Sequence, residues 1–330
     1  MKKTTTKEKL LTLFEENKGS YFSGEEIAEK LSVSRTAVWK AVNSLRGEGY
    51  EIHALQNKGY CLAAHTDILS VQGIQKYLSP LCSGIALTVL QTAGSTNALL
   101  REKAAAGAPG GSVVIAGAQT EGRGRIGRSF FSPSDTGIYM SLLLRPARCP
   151  AEKARKYTTM AAAAACEAFE SLSGREARIK WVNDIFMDGR KVSGILTEAS
   201  IGLEDGFLDY VIVGIGMNVY PPREGFPGEL KNTAGAIFQE AQDDGKNHLA
   251  AEFLNRFMEF CRASEESGYE ESYRKRSLVT GKEILVLLPE GTRKATALDI
   301  DNDCRLVVRY ENGETAALSS GEISIRMTDF

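Results

Sequence analysis

The chain has 330 residues, 43% of them apolar and 25% charged, which excludes a disordered or fibrous protein and leaves room for two or three globular domains. Its 40 Lys and Arg nearly balance 42 Asp and Glu, which excludes a bulk attraction to nucleic acid or anionic membrane and makes any DNA binding a local property. Met1 to Gly19 lacks the apolar stretch of a signal peptide, no later run would span a membrane, the six cysteines form no Cys-x-x-Cys pair, and His53, His65 and His248 are scattered. The expectation is a cytoplasmic protein, with no membrane association, no disulfide framework and no zinc site, whose cysteines are small core residues.

In chain order, Leu10, Leu11, Leu13 and Phe14 recur at helical spacing over residues 7–17. Ser23-Gly-Glu-Glu26 is a capping-box pattern that opens a second helix, with Ile27, Ala28 and Leu31 inside. After a turn at Ser32-Val33, Ser34 caps a third helix buried along Ala37, Val38, Ala41, Val42 and Leu45. That helix exposes Arg35, Thr36, Trp39, Lys40 and Asn43. A ribbon follows, Tyr50 to Leu55 and Gly59 to Leu62, across a turn at Asn57-Lys58-Gly59. Three short helices and a ribbon make a winged helix-turn-helix, whose last helix, with its cap, offers Ser34, Arg35, Thr36, Trp39, Lys40 and Asn43 as polar side chains to read a major groove. A small protein-interaction domain is the competing reading. Residues 1–65 carry ten Lys and Arg against eight Asp and Glu, a net of +2. One copy is therefore expected to bind DNA weakly, and a dimer on two half-sites is expected.

A connector helix over 70–78 leads to a larger unit. Strands are predicted at 85–91, 112–118, 137–145, 177–182, 185–187, 191–199 and 208–219, with helices from Ser95-Thr96 to Gly107, over 150–172 and from Asn247 to about Ser264. Grouped rather than alternating elements argue an α+β domain with a mixed sheet. Past Thr280 only strands follow, at 283–288, 293–299, 305–310, 314–318 and 322–326, with hairpin turns at Glu290-Gly291 and Asn312-Gly313. They predict a small barrel. The domains are thus 1–65, 66–279 and 280–330.

Glu121-Gly-Arg-Gly-Arg-Ile-Gly-Arg128 contains the Gly-x-Gly-x-x-Gly spacing of a dinucleotide site, but Ser129-Phe-Phe-Ser-Pro133 is a poor helix start, so there is no helix amino end to hold a pyrophosphate. What remains is a flexible loop that can wrap an anion with backbone N–H groups and the guanidinium forks of Arg123, Arg125 and Arg128. Phe130 and Phe131 follow as a lid. Lys180-Trp-Val-Asn-Asp184 leads through an Asp188-Gly189 turn to Arg190-Lys191, so the Asn183-Asp184 pair and Lys191 are expected to lie close on paired strands. A carboxylate able to hold Mg²⁺ and an ammonium able to neutralise an oxyanion then reach one ligand. On pairing alone, an exposed hairpin with a salt bridge explains the same residues. Gly214 and Gly216 in Tyr210-Val-Ile-Val-Gly-Ile-Gly-Met-Asn218 mark close backbone approach, and Gly94-Ser-Thr-Asn97 offers a helix amino end to a polar ligand group.

Taken together, Ser95-Thr-Asn97, the Gly-Arg-Gly-Arg-x-Gly-Arg loop, Lys-Trp-x-Asn-Asp, Arg-Lys-x-x-Gly-Ile and Gly-Ile-Gly-Met-Asn resemble the biotin protein ligase family over essentially the whole chain, with Ser320-Gly-Glu-Ile-Ser324 fitting its carboxyl-terminal barrel. The winged helix makes it similar to the bifunctional biotin operon repressor type. The resemblance implies a central domain related to class II aminoacyl-tRNA synthetases and lipoate ligases, followed by an SH3-like barrel. It also implies a two-step reaction: biotin and MgATP give biotinyl-5′-adenylate and pyrophosphate, and a lysine of a biotin carboxyl carrier domain, such as that of acetyl-CoA carboxylase, then takes the biotinyl group.

By the same resemblance, Ser95, Thr96, Asn97 and Gln119 face the biotin rings, and Arg123, Gly124 and Arg125 order over biotin. Lys191 neutralises the carboxylate and developing oxyanions, while Arg128, Asn183, Asp184, Asn218 and Arg326 serve ATP, with Asp184 toward Mg²⁺. A homodimer in the adenylate-bound state would bind operator DNA, and a sheet edge would serve either dimerisation or acceptor docking. Two departures stand out: Gly94 replaces an acidic residue, and Phe130 a tryptophan. The alternatives are a lipoate-type ligase, whose Arg-Arg-x-Ser-Gly-Gly-Gly segment does not occur here, and a biotin-sensing transcription factor without ligase activity.

Overall fold

The computed structural model describes residues 4–202, 206–263, 268–288, 291–319 and 321–324. The chain divides into two compact units, Met1–Ser79 with Glu240–Glu252 and Pro80–Gln239 with Phe253–Phe330.

In the first unit, α1 (Thr6–Glu16), α2 (Gly24–Leu31) and α3 (Arg35–Gly47) precede an antiparallel ribbon of β1 (Ile52–Leu55) and β2 (Gly59–Leu62). The side chains of Thr5, Ser23 and Ser34 accept the backbone N–H groups of Glu8, Glu26 and Ala37, supplying donors at each helix start with the partner they otherwise lack. Leu10, Phe14, Ile27, Val38, Leu45 and Leu62 close a common core. The ribbon starts at Ile52 instead of Tyr50, because the Tyr50 N–H is still bonded to Leu45 O behind α3.

The first unit also takes in α4 (Val71–Gln75) and the opening turns of the helix Gly245–Arg262. Asn247, fully buried, accepts from Ser70 N at 3.0 Å and donates to Ile68 O at 2.8 Å. Beside it four charges meet. Lys18 Nζ lies 2.8 Å from Asp244 Oδ1 and 3.2 Å from Glu15 Oε2, and Lys76 Nζ lies 2.9 Å from that same Glu15 oxygen. Tyr77 OH donates to Asp244 Oδ2 at 2.9 Å. Burial and balance coincide here: two carboxylates face two ammoniums, so neither sign is left alone.

The second unit is built on a seven-stranded sheet ordered β3-β4-β5-β9-β8-β7-β6, in which β3 (Ala86–Leu90) and β4 (Ser112–Ala116) are parallel. The other neighbours, β5 (Gly137–Leu144), β6 (Arg178–Lys180), β7 (Asp184–Met187), β8 (Arg190–Ile201) and β9 (Leu208–Asn218), pair antiparallel. Helix α5 (Thr96–Ala105) is capped by Ser95, and α6 (Arg155–Ser173) presents Ala161 to Ala165, all fully buried, whose small side chains let the helix lie close to β8 and β9. The predicted helix over 150–172 opens instead as a 3₁₀ turn at Ala151–Ala154. Helices α7 (Leu230–Thr233), α8 (Gly245–Arg262) and α9 (Tyr269–Lys275) follow. The sequence does not announce α7 or α9, since four and seven residues are too few to display a helical period.

A second sheet, ordered β13-β12-β11-β10-β14, closes the chain with β10 (Glu283–Leu288), β11 (Gly291–Ile300), β12 (Leu306–Tyr310), β13 (Thr315–Leu318) and β14 (Glu322–Ser324). The five predicted strands are present, the last of them, predicted over 322–326, as far as Ser324. Glu290 of the predicted turn, Ser320 and the stretch 325–330 lie outside the described residues, so the ATP role read for Arg326 has no position here.

Candidate active site and DNA-contact face

The β7–β8 hairpin turns at Asp188 and Gly189, both at positive φ (48° and 73°), as a two-residue turn with a right-handed strand twist requires. The pairing brings Lys191 Nζ within 2.7 Å of Asp184 Oδ1, each side chain partly exposed. Asn183 donates to Asp184 Oδ1 at 3.1 Å and to Ile195 O at 3.0 Å, which leaves its own Oδ1 to accept from Arg125 Nη1 at 2.9 Å. Arg125 therefore ties the glycine-arginine loop to the hairpin. Its other nitrogen, Nη2, donates to Gly321 O at 2.9 Å, and Ile323 of β14 lines the same space, so the small sheet reaches the site through these two residues.

Around these contacts lies a cavity of about 140 Å³ bordered by Arg123, Gly124, Arg125, Arg128, Asn183, Asp184 and Lys191. Each loop and hairpin residue given a ligand role in the sequence borders it, and Lys180 and Trp181 do so as well. The loop has no helix after it: a 3₁₀ turn at Arg125–Gly127 is followed by irregular chain as far as β5, in keeping with the rejection of a dinucleotide fold.

A second space, about 30 Å³, is bordered by Ser95, Thr96, Asn97, Gln119, Arg123, Gly214 and Gly216. Phe130 borders both. Its ring lies over Gly194 and Gly216, which are register partners on β8 and β9. Below, Tyr139 is buried, and burial pushes its phenol up, so it remains a donor, bonded to Pro133 O at 3.1 Å. Thr96 N donates to Gln119 Oε1 at 2.8 Å, and Asn97 reaches Glu198 and Ser141. Sequence reasoning misses Ser141 and Glu198, because only the β5 and β8 registers carry them to α5.

Asn218 borders neither space. Its side chain donates to Gly235 O at 3.0 Å and its backbone carbonyl accepts from Ile237 N at 2.8 Å, holding the chain that crosses the end of β8. For magnesium, Asp184 is a single carboxylate with Oδ1 already bonded, and among the described residues no group of three or more His, Cys, Asp or Glu side chains gathers. That donor set fits an ion brought in by a nucleotide, whose phosphates and waters supply most ligands.

On the first unit, Ser34, Arg35, Thr36, Trp39, Lys40 and Asn43 are all exposed along one side of α3. Trp39 is 57% exposed, and with Arg35, Thr36 and Leu55 it borders an open concavity of about 770 Å³ between α3 and the ribbon. Among the described residues no helix is long and apolar enough to cross a membrane.

The profile of the biotin/lipoate A/B protein ligase family matches residues 89–218, that of an HTH domain residues 6–61, and that of the biotin protein ligase C-terminal domain residues 279–326. The bifunctional ligase/repressor BirA of Bacillus spizizenii is 34% identical over 94% of this chain and 96% of its own length. The Bacillus subtilis protein of the same name is 39% identical over 72% and 73%. Over 73% of this chain and 98% of that one, the fold is similar to the biotin protein ligase of Aquifex aeolicus solved with biotin and ATP, at 26% identity and a TM-score of 0.59.

Proposed function

The chain belongs to the biotin protein ligase family, among its bifunctional ligase/repressors, and from that premise we propose how its residues divide the work. The protein activates biotin with ATP as biotinyl-5′-adenylate, transfers biotin to a lysine of a carrier domain, and represses transcription in response to biotin. The observation that carries the ligase reading is the junction at Arg125, which joins the anion-wrapping loop to the Asn183–Asp184–Lys191 hairpin around one cavity.

In the first step two anions meet, so neutralising charge is the main catalytic task. Lys191 and Arg123 attract the biotin carboxylate to the border of the two spaces. Arg125 and Arg128 take phosphate oxygens, and Lys191 stays charged as negative charge moves onto the α-phosphoryl group. Asp184 keeps Lys191 oriented and would offer its carboxylate to magnesium carried by ATP; Asn183 fixes Asp184, and Asn218 holds the neighbouring chain. Ser95, Thr96, Asn97 and Gln119 hold the biotin rings, with Phe130 as the lid. An ATP role for Arg326 rests on family resemblance alone, since it lies outside the described residues.

For the repressor, Arg35, Thr36, Trp39, Lys40 and Asn43 face the major groove, with Ser34 at the helix start. The +2 charge of residues 1–65 supports a dimer, formed by the adenylate-bound protein, as the DNA-binding species. The three domains proposed remain 1–65, 66–279 and 280–330, working in the cytoplasm. The test is ATP-dependent incorporation of labelled biotin into a carrier domain, together with sedimentation of the adenylate-bound protein. No incorporation would overturn the ligase reading; a monomer without site-specific DNA affinity would overturn the dimer.

A further inference from the structure

We infer that Glu198 is a positioning residue that sets the hydrogen-bond polarity of the ring-binding space, so that Thr96 Oγ1 and Gln119 Oε1 together present acceptors to a ligand N–H. The inference rests on the reading of this space as the biotin site. It follows from counting protons along one chain of contacts.

Glu198 Oε1 accepts from Arg101 Nη1 at 3.0 Å, and its Oε2 lies 2.7 Å from Asn97 Nδ2. The same Nδ2 is 3.3 Å from Leu196 O. Both neighbours only accept, so this end of the amide must be its NH₂ group and the other end its carbonyl. Asn97 Oδ1 lies 2.6 Å from Ser141 Oγ, and Ser141 is fully buried with one proton to give. That proton goes to Asn97.

Ser141 Oγ is also 2.8 Å from Thr96 Oγ1. With the serine proton committed, the threonine hydroxyl has two acceptors in reach, Ser141 Oγ at 2.8 Å and Gln119 Oε1 at 3.2 Å, and the shorter contact takes its proton. Thr96 Oγ1 then has only lone pairs for any further partner. Gln119 Oε1 is fixed as an acceptor by Thr96 N at 2.8 Å, while its Nε2 donates to Ser132 Oγ at 3.3 Å, whose proton goes to Phe130 O at 2.8 Å. The 3.2 Å contact between Thr96 Oγ1 and Gln119 Oε1 is consequently one between two acceptors. A ligand N–H satisfies both; a ligand carbonyl or ether oxygen satisfies neither. Ser95, Thr96 and Asn97 are nearly buried, so water does not readily reset the order. A cyclic urea offers the N–H that this pair demands.

The experiment measures dissociation constants of the full-length protein for biotin and for two cyclic carbamates in which one or the other ureido N–H is replaced by oxygen. The wild type is expected to reject at least one carbamate by about a hundredfold, because the analogue sets a third oxygen against two acceptors. In Glu198→Gln the new amide can donate to Asn97, turn it over and free the Ser141 and Thr96 protons. Biotin should then bind about tenfold more weakly and rejection of the carbamate should shrink about tenfold, with ATP affinity unchanged and kcat at saturating biotin within about threefold. Equal weakening of biotin and both carbamates would indicate mere loss of structure and overturn the inference. So would a wild type that binds biotin without rejecting either carbamate, a result that needs no variant to fold. A wild type that binds no biotin would overturn the functional reading itself.

Discussion

The ring of Phe130 rests on the backbone of Gly216, so that a methyl group at that glycine would lie 2.5 Å from Cε1 and 2.7 Å from Cζ. The ring stands between the two spaces, and 30 Å³ holds about one water, not a bicyclic ligand. On the proposed reading, a ligand entering this space moves the Phe130 ring. Gly216→Ala puts a methyl group on the surface that ring and ligand share, and biotin affinity should fall at least about tenfold while circular dichroism keeps the wild-type spectrum. Calorimetric titration giving the wild-type constant would refute it.

In the proposed mechanism Lys191 neutralises the reacting anions. Lys191→Met should slow biotin-dependent pyrophosphate exchange by about 10²–10³-fold. Lys191→Arg should recover only part of the rate, since a planar fork does not replace a compact ammonium beside Asp184. Full activity in either variant would remove Lys191 from the chemistry.

The chain has two tryptophans. Trp181 is 4% exposed and donates to Cys304 O at 3.1 Å, whereas Trp39 is 57% exposed on α3. Acrylamide should therefore quench chiefly Trp39, and operator DNA should protect it. Lys40→Ala should reduce the slope of log affinity against log salt by about 1. Quenching that is unaltered at saturating DNA would place the interface elsewhere.

At Asp244 burial disfavours the charged form, but hydrogen bonds from Lys18, Lys76 and Asn247 outweigh it and hold the carboxyl below its ordinary value. A depressed native pKa contributes stability above the unfolded value, about 3.9, and that contribution is lost as pH falls through the native value. Asp244→Asn should cost the first unit about 3 kcal/mol at neutral pH. Urea melts followed by Trp39 fluorescence should show the difference from wild type shrinking below about pH 4. A pH-independent difference would mean that charge is not the cause.

Much of this is legible locally. Ser23-Gly-Glu-Glu26 and Ser34 announce their helices because a cap needs only residues three apart, and Asp188-Gly189 announces its hairpin and hence the Asp184–Lys191 pair. Five of the six cysteines are buried and the sixth half-buried, as expected of core residues. Ser141 and Glu198 are illegible because their meaning depends on strand register, which no local pattern states. Asp244 is illegible because Lys18 and Lys76, far away in sequence, are what make it more than a loop acid.

That last cluster makes the DNA-binding unit discontinuous along the gene. Deleting residues 1–65 would discard Glu15 and Lys18 yet keep Lys76 and Asp244, and Asn247 would keep its partners at Ser70 and Ile68 on a stub with nothing to support it. A truncation at the amino end would therefore leave parts of this unit behind on the remaining chain, the Lys76–Asp244 pair and the contacts of Asn247.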